Sequence, residues 1–391
     1  MRRSSILLAL GLGAMVGCSQ HATSSPLPVA PQSLAMERPA VVFKSLYSFA
    51  GTPDGANPLA TLVAVNGTLY STTYEGGKSG LGTVFKVSTS GMERVLHNFS
   101  GVAPNGANPS AGLLAVNGAL YGTTSTGGKS GFGTIFKIST TGFQHVLYSF
   151  AGTPDGANPY ARLISLNGTL YGTTYEGGKS GFGTVFKVST AGVERVIYSF
   201  KGAQDGANPA AGLTVVNGTL YGTTYRGGTS SNGTVFKVSA SGTEHALYSF
   251  NGTPDGANPY AGLTALNGTL YGTTYEGGNS GNGSVFKVST SGAEHVLYSF
   301  KGASDGANPY AGLVALNGTL YGATFYGGKS NNGTIFKVST AGTEGVLYRF
   351  TGVAPDGANP YASLIAMSGT LYGTTHQGGS SGNGIVFKLT P

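Results

Sequence analysis

Apolar residues come in short runs along this chain, and the runs are separated by turn residues. In one representative unit the runs lie at residues 263–266, 269–275, 284–289 and 294–300. Asn267-Gly268 between the first two runs is a strong signal for a two-residue hairpin turn. Ser291-Gly292 marks another turn between the last two runs. The pattern predicts four antiparallel strands, with a Gly-Gly loop between the second and the third.

The same unit recurs seven times at intervals of 50 or 51 residues. Its Asp-Gly-Ala-Asn-Pro segment begins at Asp54, Asp155, Asp205, Asp255, Asp305 and Asp356, and Asn105 begins the variant Asn-Gly-Ala-Asn-Pro. We expect the Asn of this segment to be extended because it precedes Pro. A four-stranded antiparallel unit of this length, repeated seven times, is typical of a propeller blade. The sequence therefore predicts an all-β fold, a seven-bladed β-propeller.

The two ends of the repeat array complement each other. The seventh unit stops at Pro391, after its third strand, and a spare fourth strand stands at residues 43–49 before the first unit. A solenoid would need distinct capping repeats, and none is visible. We therefore expect the N-terminal strand to complete the last blade and close the ring, which hides the sheet edges.

The repeat resembles known families. Kelch propellers also place a Gly-Gly doublet after the second strand, although this chain has no Trp. It is more similar to the GloVer tandem-repeat family of bacterial surface proteins, with which it shares Leu-Tyr-Ser-Phe at 247–250, Asp-Gly-Ala-Asn-Pro at 255–259, Asn-Gly-Thr-Leu-Tyr-Gly-Thr-Thr at 267–274, Gly-Gly at 277–278 and Gly-Thr-Val-Phe-Lys-Val at 233–238. The resemblance covers residues 43–391 and implies a propeller at the cell surface, without a defined activity.

The first residues of the chain fit a secretory signal. Arg2 and Arg3 precede an apolar run at 6–16 that is too short to span a bilayer. The following Gly17-Cys18 completes a segment, Met-Val-Gly-Cys, that resembles the lipobox of bacterial lipoproteins. That resemblance implies cleavage before Cys18 and lipid attachment to its sulfur, and Ser19 implies sorting to the outer membrane. The alternative is an ordinary signal peptide with an incidental cysteine.

These segments divide the chain into three parts. Residues 1–17 form the predicted lipoprotein signal peptide, 18–40 a Ser- and Pro-rich flexible tether, and 41–391 the propeller. We therefore expect an exported protein at the outer membrane or cell surface, which touches the membrane only through its lipid. We expect it to be a monomer.

Composition narrows the function classes. Charged residues make up 9% of the chain and the net charge is +7 over 391 residues, which does not by itself predict a nucleic-acid partner. The 40% of hydrophobic residues provide a core, so the chain is not predicted to be disordered. Cys18 is the single cysteine, so an intramolecular disulfide is excluded. We expect no cofactor and no nucleic-acid partner.

Candidate metal ligands are scattered over different blades. His145, His245 and His295 share one repeat position on the predicted outer strand, too far apart to bind one ion. The ring of loop Asp residues offers one carboxylate per loop, whereas calcium takes about 6–8 oxygens. Asp also stabilises turns through the backbone, which is the interpretation we favour. We predict no metal site.

A row of charges recurs on the outer half of each unit. Lys86 and its equivalents lie in the third strand, and Glu93 and its equivalents in the fourth. If the Ser-Gly turn has two residues, Lys86 and Glu93 share a face and form exposed pairs. The alternative is a basic band that binds nucleic acid or anionic lipid.

The most variable repeat positions lie on one face of the predicted propeller, where the Asp-Gly-Ala-Asn-Pro and Gly-Gly loops meet. The candidate ligand-binding residues there are Tyr160, Tyr260, Tyr310 and Tyr361 after Asn-Pro, Arg162 two residues further on, and Tyr175, Tyr225, Tyr275 and Tyr326 at the Gly-Gly loop. Aromatic rings at a concave mouth suit stacking on sugar rings or peptide side chains. The alternative is that these tyrosines pack under neighbouring loops.

Three functions remain open from the residues alone. The leading hypothesis is an envelope-anchored binding module for a glycan or an envelope protein at the channel mouth. The second is a secreted propeller enzyme, a polysaccharide hydrolase or lyase, because fold does not fix function. We do not predict an enzyme, since no catalytic motif is recognised in the sequence and no catalytic residue is assigned. The third is a purely structural surface repeat protein.

Overall fold

A computed structural model of the protein describes residues 41–391, which form seven four-stranded antiparallel sheets. The predicted seven-bladed β-propeller is confirmed. The predicted signal peptide, Cys18 and the tether up to residue 40 lie outside the described residues. No helix within the described part is long and apolar enough to cross a bilayer.

Each blade has a short inner strand, two longer middle strands and an outer strand. Blade 1 has Val63–Val65, Thr68–Thr73, Thr83–Ser88 and Glu93–Asn98. Blade 2 has Leu114–Val116, Ala119–Thr124, Thr134–Ser139 and Gln144–Ser149. Blade 3 has Ile164–Leu166, Thr169–Thr174, Thr184–Val188 and Glu194–Ser199. Blade 4 has Thr214–Val216, Thr219–Thr224, Thr234–Val238 and Glu244–Ser249.

The remaining blades follow the same plan. Blade 5 has Thr264–Leu266, Thr269–Thr274, Ser284–Val288 and Glu294–Ser299, so every predicted strand end of this unit is correct to within one residue. Blade 6 has Val314–Leu316, Thr319–Thr324, Thr334–Val338 and Glu344–Arg349. Blade 7 has Ile365–Met367, Thr370–Thr375 and Ile385–Thr390, and takes Val42–Ser48 as its outer strand.

Short two-residue ladders join the loops above five blades. They pair Gly55–Ala56 with Glu75–Gly76, Gly106–Ala107 with Thr126–Gly127, Gly156–Ala157 with Glu176–Gly177, Gly256–Ala257 with Glu276–Gly277, and Gly357–Ala358 with Gln377–Gly378. In the other two blades a single bridge takes this place, Ala207 with Arg226 and Ala307 with Tyr326. The two variable loops are therefore tied to each other at the mouth.

The N-terminal strand closes the ring, as predicted. Val42–Ser48 pairs antiparallel with Ile385–Thr390, the third strand of blade 7. The backbone N–H of Phe49 then donates to the carbonyl oxygen of Gly384 at 3.0 Å. Closure leaves no blade with an unpaired third strand, which protects the sheet from edge-to-edge association.

The hydrophobic core lies between blades. At each junction a buried Phe at the end of one outer strand packs against a buried Phe of the next blade, as Phe200 does on Phe236, with ring centroids 5.1 Å apart. The ring of Phe236 also covers Gly222 on the neighbouring strand of its own blade, where a Cβ would lie 2.6 Å from the ring. Glycine at this position is therefore required by a close approach, and the Phe ladder runs around the whole ring.

The two hairpins of a blade differ in turn length. The Asn-Gly hairpin is confirmed, with Asn267 at φ 50° and Gly268 at φ 76°, as a type I′ turn requires. The outer hairpin has three connecting residues, because Ser88 N–H donates to the Met92 carbonyl. As a result Lys86 pairs with Arg94 and Val87 with Glu93.

The prediction that Lys86 and Glu93 form exposed pairs is therefore wrong. Directly paired residues share a face and neighbours along a strand alternate, so Lys86 and Glu93 lie on opposite faces of the blade. The physical reason is the single extra residue in the turn, which shifts the register by one position and moves the carboxylate to the other side of the sheet.

The loop Asp residues form turns, as we favoured. Asp54 Oδ2 accepts a hydrogen bond from Tyr47 Oη at 2.8 Å and another from the backbone N–H of Ala50 at 2.9 Å. Asp155, Asp205 and Asp255 repeat both contacts. Within residues 41–391, no three His, Cys, Asp or Glu side chains come together in a group that could hold a metal ion.

Candidate binding site at the channel mouth

The Asn of each Asp-Gly-Ala-Asn-Pro segment ties the mouth loops of two blades together. Its Nδ2 donates to the carbonyl of the residue that follows the second strand of the preceding blade, and the pairs are Asn57 with His376, Asn108 with Tyr74, Asn158 with Ser125, Asn208 with Tyr175, Asn258 with Tyr225, Asn308 with Tyr275 and Asn359 with Phe325. The Asn carbonyl accepts the N–H of the equivalent residue in its own unit, as Asn258 does from Tyr275. These bonds fix the backbone that carries the aromatic side chains.

The expected extended conformation of this Asn is wrong. All seven residues have a positive φ, such as 56° at Asn258. The left-handed conformation is one that Asn adopts more readily than most other side chains. The left-handed conformation directs the side-chain amide towards the loop of the preceding blade. The hydrogen bond that the amide donates there stabilises this conformation against the extended one that the following Pro favours.

The tyrosines of blades 5 to 7 meet around Tyr310. Its ring centroid lies 4.9 Å from that of Tyr260 and 4.7 Å from that of Tyr361, on which it stacks. On its outer side it lies 4.5 Å from Tyr275 and 5.1 Å from Phe325. One continuous aromatic cluster therefore spans this side of the mouth.

Of the other candidate tyrosines, Tyr225 and Tyr326 extend the cluster, and Tyr160 and Tyr175 form a separate pair. Tyr225 contacts Tyr260 at 5.7 Å, and Tyr160 contacts Tyr175 at 5.3 Å in blade 3. Tyr326 stands further out, 39% exposed, with its ring 4.6 Å from that of Phe325. The structure thus brings the predicted aromatic residues to one end of the channel, and ligand binding by them stays a prediction.

The tyrosine rings pack partly against neighbouring residues and are not fully exposed to solvent. Tyr160, Tyr260, Tyr310 and Tyr361 are all partly exposed and partly packed. Burial raises the pKa of Tyr160 to about 12, and the neighbouring Tyr260 contributes to the rise. Burial raises the pKa of Tyr260 as well, so these phenols are neutral hydrogen-bond donors at pH 7.

Two aromatic members of the cluster are not among the residues predicted from the sequence. Phe325 occupies the repeat position of Tyr275, and His376 occupies the same position in blade 7, with ring centroids 6.3 Å from each other. Burial lowers the pKa of His376, and its Nδ1 is buried without a partner among the described residues. The signal that identifies both is the position directly after the second strand, which is equivalent in all copies, whereas Tyr326 lies one position later.

Beneath the mouth, the channel contains a cavity of about 680 Å³. The mouth is asymmetric, because Leu59, Ser110 and Ala210 stand in blades 1, 2 and 4 where the other four blades have Tyr. Deeper in the channel the wall is largely apolar, with Leu114, Ile164, Val314 and Ile365 among its residues. Tyrosines therefore line the mouth at blades 3 and 5 to 7, and blades 1, 2 and 4 contribute smaller side chains.

Arg162 is the one charged residue that lines this cavity among the residues described. Its side chain is exposed to the lumen, yet the channel wall surrounds it, and this burial lowers the pKa of its guanidinium. Arg162 is thus accessible to solvent and also surrounded by protein, because its side chain lines the channel and does not face bulk solvent. The site thus combines an aromatic rim, an apolar wall and one positive charge.

A family model and several solved structures match this chain. The model, described as the Gloeobacter/Verrucomicrobia repeat, matches residues 35–175, 141–315 and 291–391. No curated protein matches the sequence.

The solved structures show the fold only, because their sequences are distant. A lectin from Burkholderia pseudomallei is 14% identical, with 87% of this chain and 96% of the lectin covered and a TM-score of 0.59. A putative 6-phosphogluconolactonase from Bacteroides uniformis is 17% identical, with coverages of 78% and 88% and a TM-score of 0.51. A puromycin hydrolase is 13% identical over 81% of this chain and 49% of its own, with a TM-score of 0.51, so the propeller spans about half of that enzyme.

Proposed function

Since the chain belongs to the Gloeobacter/Verrucomicrobia repeat family and forms a closed propeller, we propose that it is a binding module that takes a glycan at the channel mouth. The observation that carries the proposal is the aromatic cluster around Tyr310, which borders the channel cavity, where blades 1, 2 and 4 contribute smaller side chains. Tyrosine offers a flat apolar face and a hydroxyl, the combination that suits sugar rings.

The chemistry of the lining favours binding over catalysis. Glycoside hydrolysis ordinarily uses two carboxyl groups placed on either side of the scissile bond. The lining of the described channel offers a guanidinium, phenols and backbone groups, with Arg162 as its one charged side chain. A lectin with a similar fold shows that a propeller of this size serves carbohydrate recognition elsewhere, which supports the proposal by analogy of fold.

The proposal includes a place in the cell. We propose that the propeller is exported and held at the outer membrane or cell surface by a lipid on Cys18, followed by a tether up to residue 40. A binding module held in this way meets glycans of the envelope or of the surroundings. An envelope protein is the alternative ligand, and its binding is one outcome of the test.

A glycan array probed with the purified full-length protein tests the proposal. The test variant is Tyr260→Ala/Tyr310→Ala/Tyr361→Ala, because Ala210 already occupies this repeat position in blade 4 and the frame accepts it. The control is Phe143→Ala, an aromatic side chain that is 87% exposed in a turn at the opposite end of blade 2.

The expected result is saturable binding that the triple variant loses and the control keeps, with unchanged circular dichroism for both. Equal binding by the triple variant and the wild type would show that the three tyrosines do not contribute to ligand binding. If no glycan binds and an envelope protein is captured in a manner that the triple variant abolishes, the ligand class is wrong and the site is right.

A further inference from the structure

The channel carries a charge that the repeat does not require. At the repeat position of Arg162 the other blades have Thr61, Gly112, Gly212, Gly262, Gly312 and Ser363. A side chain that no other copy needs is not part of the common frame. Arg162 is therefore a feature of this channel, not of the blade.

The adjacent blades leave room for the arginine, because they carry glycine at this level. A Cβ on Gly212 would lie 3.0 Å from the Arg162 carbonyl, and one on Gly262 would lie 3.0 Å from the Gly212 carbonyl. Neighbouring backbones are therefore in close contact at this level, and the glycines contribute no side chain to the lumen. The long side chain at this level belongs to Arg162, which occupies the channel beneath the mouth.

The guanidinium has no carboxylate partner in the cavity lining of the described chain. Glu176 of the same blade lies in the exposed ladder at the rim, beside Tyr175, and is not among the residues that line the cavity. A charged group encircled by protein without an ionic partner is unfavourable unless a counter-charge arrives. A guanidinium presents five N–H donors in a planar fork, which matches the geometry of a carboxylate or sulfate.

We infer that the channel takes an acidic saccharide, whose carboxylate or sulfate group binds Arg162 while its sugar ring lies against the tyrosines of the mouth. The inference rests on the proposed glycan-binding function and names its ligand class. Tyr160 and Arg162 line the same cavity two residues apart, so one ligand can touch both. Ser110 of the adjacent blade 2 also lines the cavity, and its hydroxyl is buried without a partner among the described residues.

The test compares acidic and neutral saccharides on matched variants. Arg162→Gly installs the residue that four other blades carry at this position, so the frame tolerates it. Arg195→Gly is the control, because it makes the same chemical change on the outer strand of blade 3, where blade 6 has Gly345. Arg162→Lys keeps the charge and removes the planar fork.

The probes are oligogalacturonate for the carboxylate, a sulfated galactan for the sulfate ester, and an uncharged galactan as the neutral match. We expect at least a tenfold weaker affinity for the acidic probe in Arg162→Gly, an intermediate loss in Arg162→Lys and no change in Arg195→Gly. A direct readout is the Nε–H resonance of Arg162, which we expect to shift with glucuronate and not with glucose.

The outcomes separate the inference from the proposed function. If neutral and acidic probes bind equally, and Arg162→Gly changes neither, the anionic ligand class is wrong while the glycan site stands. If acetate shifts the Arg162 resonance as strongly as glucuronate, the residue binds free anions and the saccharide part fails. If no saccharide binds and no probe moves the Arg162 resonance, both the inference and the proposed function are overturned.

Discussion

The ring of Phe43 stacks on that of Tyr348, with centroids 3.9 Å apart and ring planes 9° from parallel. Phe43 belongs to the N-terminal strand that completes blade 7, and Tyr348 to the outer strand of blade 6. At five other junctions a glutamate occupies the position of Phe43, and these residues are Glu93, Glu194, Glu244, Glu294 and Glu344. The junction that closes the ring is therefore aromatic, whereas five of the others are acidic and one has Gln144.

This aromatic contact predicts a role for Phe43 in closure. Its ring also lies 5.4 Å from Phe387 and 5.8 Å from Phe350, so truncation opens the joint between the first strand and blade 6. We expect Phe43→Ala to lower the free energy of unfolding by about 1–3 kcal/mol, less than for a fully buried Phe because this ring is half-buried.

Urea unfolding followed by far-UV circular dichroism measures this loss. Phe143→Ala is the control, because its exposed ring contacts no core cluster and its loss is expected to stay within about 0.5 kcal/mol. An equal effect of the two substitutions would show that Phe43 contributes nothing to closure.

The five outer-strand glutamates predict an unusual pH dependence. Each faces a Tyr and the loop Asp of the preceding junction, as Glu93 faces Tyr47 and Asp54. Burial, with a contribution from the Asp carboxylate, raises the pKa of each Glu to about 7. The folded protein therefore binds more protons than the unfolded chain between about pH 4.5 and 7.

The sign of the effect follows from this excess of protons. The stabilisation is fully present below the ordinary Glu pKa of about 4.3 and is lost as the pH rises through 7. His97 and His376 act in the opposite direction, since burial lowers the pKa of both, and they offset part of the trend below pH 6.5. We expect the melting temperature to fall from pH 5.5 to pH 8.

Substitution by glutamine tests this assignment. Blade 2 already has Gln144 at the same position, beside His97 and Asn105 in place of the usual Tyr and Asp. Replacing all five glutamates with Gln is expected to flatten the pH dependence of the melting temperature while the fold is kept. An unchanged slope would mean that other groups take up the protons.

The Asn that links the mouth loops predicts two separate losses of folding stability, one from its hydrogen bond and one from its backbone conformation. Asn258 holds a φ of 56°, and its Nδ2 donates to the Tyr225 carbonyl at 3.0 Å. Asn258→Gly removes the hydrogen bond and keeps the conformation, so we expect a loss of about 1 kcal/mol. Asn258→Ala also carries the left-handed strain, which adds about 1–2 kcal/mol.

Chemical denaturation of the two variants gives this order directly. Asn267→Ala, at φ 50° in the hairpin at the other end of the same unit, separates the strain from the loss of the loop contact. If Asn258→Gly were as unstable as Asn258→Ala, the hydrogen bond rather than the backbone conformation would account for the whole effect.

Much of the fold could be predicted from the repeat alone, because each copy contains the same turn chemistry. The errors have local causes. The outer hairpin has one more connecting residue than Ser-Gly suggests, which places Lys86 and Glu93 on opposite faces. Asn258 is left-handed because its amide finds a carbonyl in the preceding blade, a partner that a single unit does not reveal.

The candidate site was predictable in position and not in detail. Variation among copies singles out Tyr310 and Arg162, and both line the cavity. The packing of Tyr310 on Tyr361 depends on how two blades are rotated relative to each other, which the sequence of one blade does not contain. At the Gly-Gly loop of blade 6, Phe325 and Tyr326 are both aromatic, and the sequence-based prediction chose Tyr326. Phe325 occupies the repeat position of Tyr275, and it is the ring of Phe325 that contacts Tyr310.

The central position of Tyr310 predicts that its ring and its hydroxyl contribute differently to binding. Tyr310→Phe keeps the stacking on Tyr361 and removes one donor, so we expect about a threefold weaker affinity for the saccharide. Tyr310→Ala removes the ring that contacts Tyr260, Tyr361 and Tyr275, and we expect a loss of about 10- to 100-fold, the range of an aromatic anchor in a binding site. Isothermal titration calorimetry with the best array hit measures both.

Stability must be followed beside affinity, because the same ring packs within the cluster. Since Ala210 fills the equivalent position in blade 4, we expect Tyr310→Ala to lower the free energy of unfolding by no more than about 1–2 kcal/mol. A large loss of stability with unchanged affinity would assign the tyrosines to packing alone. Lost affinity in a protein that still melts cooperatively would assign Tyr310 to ligand recognition.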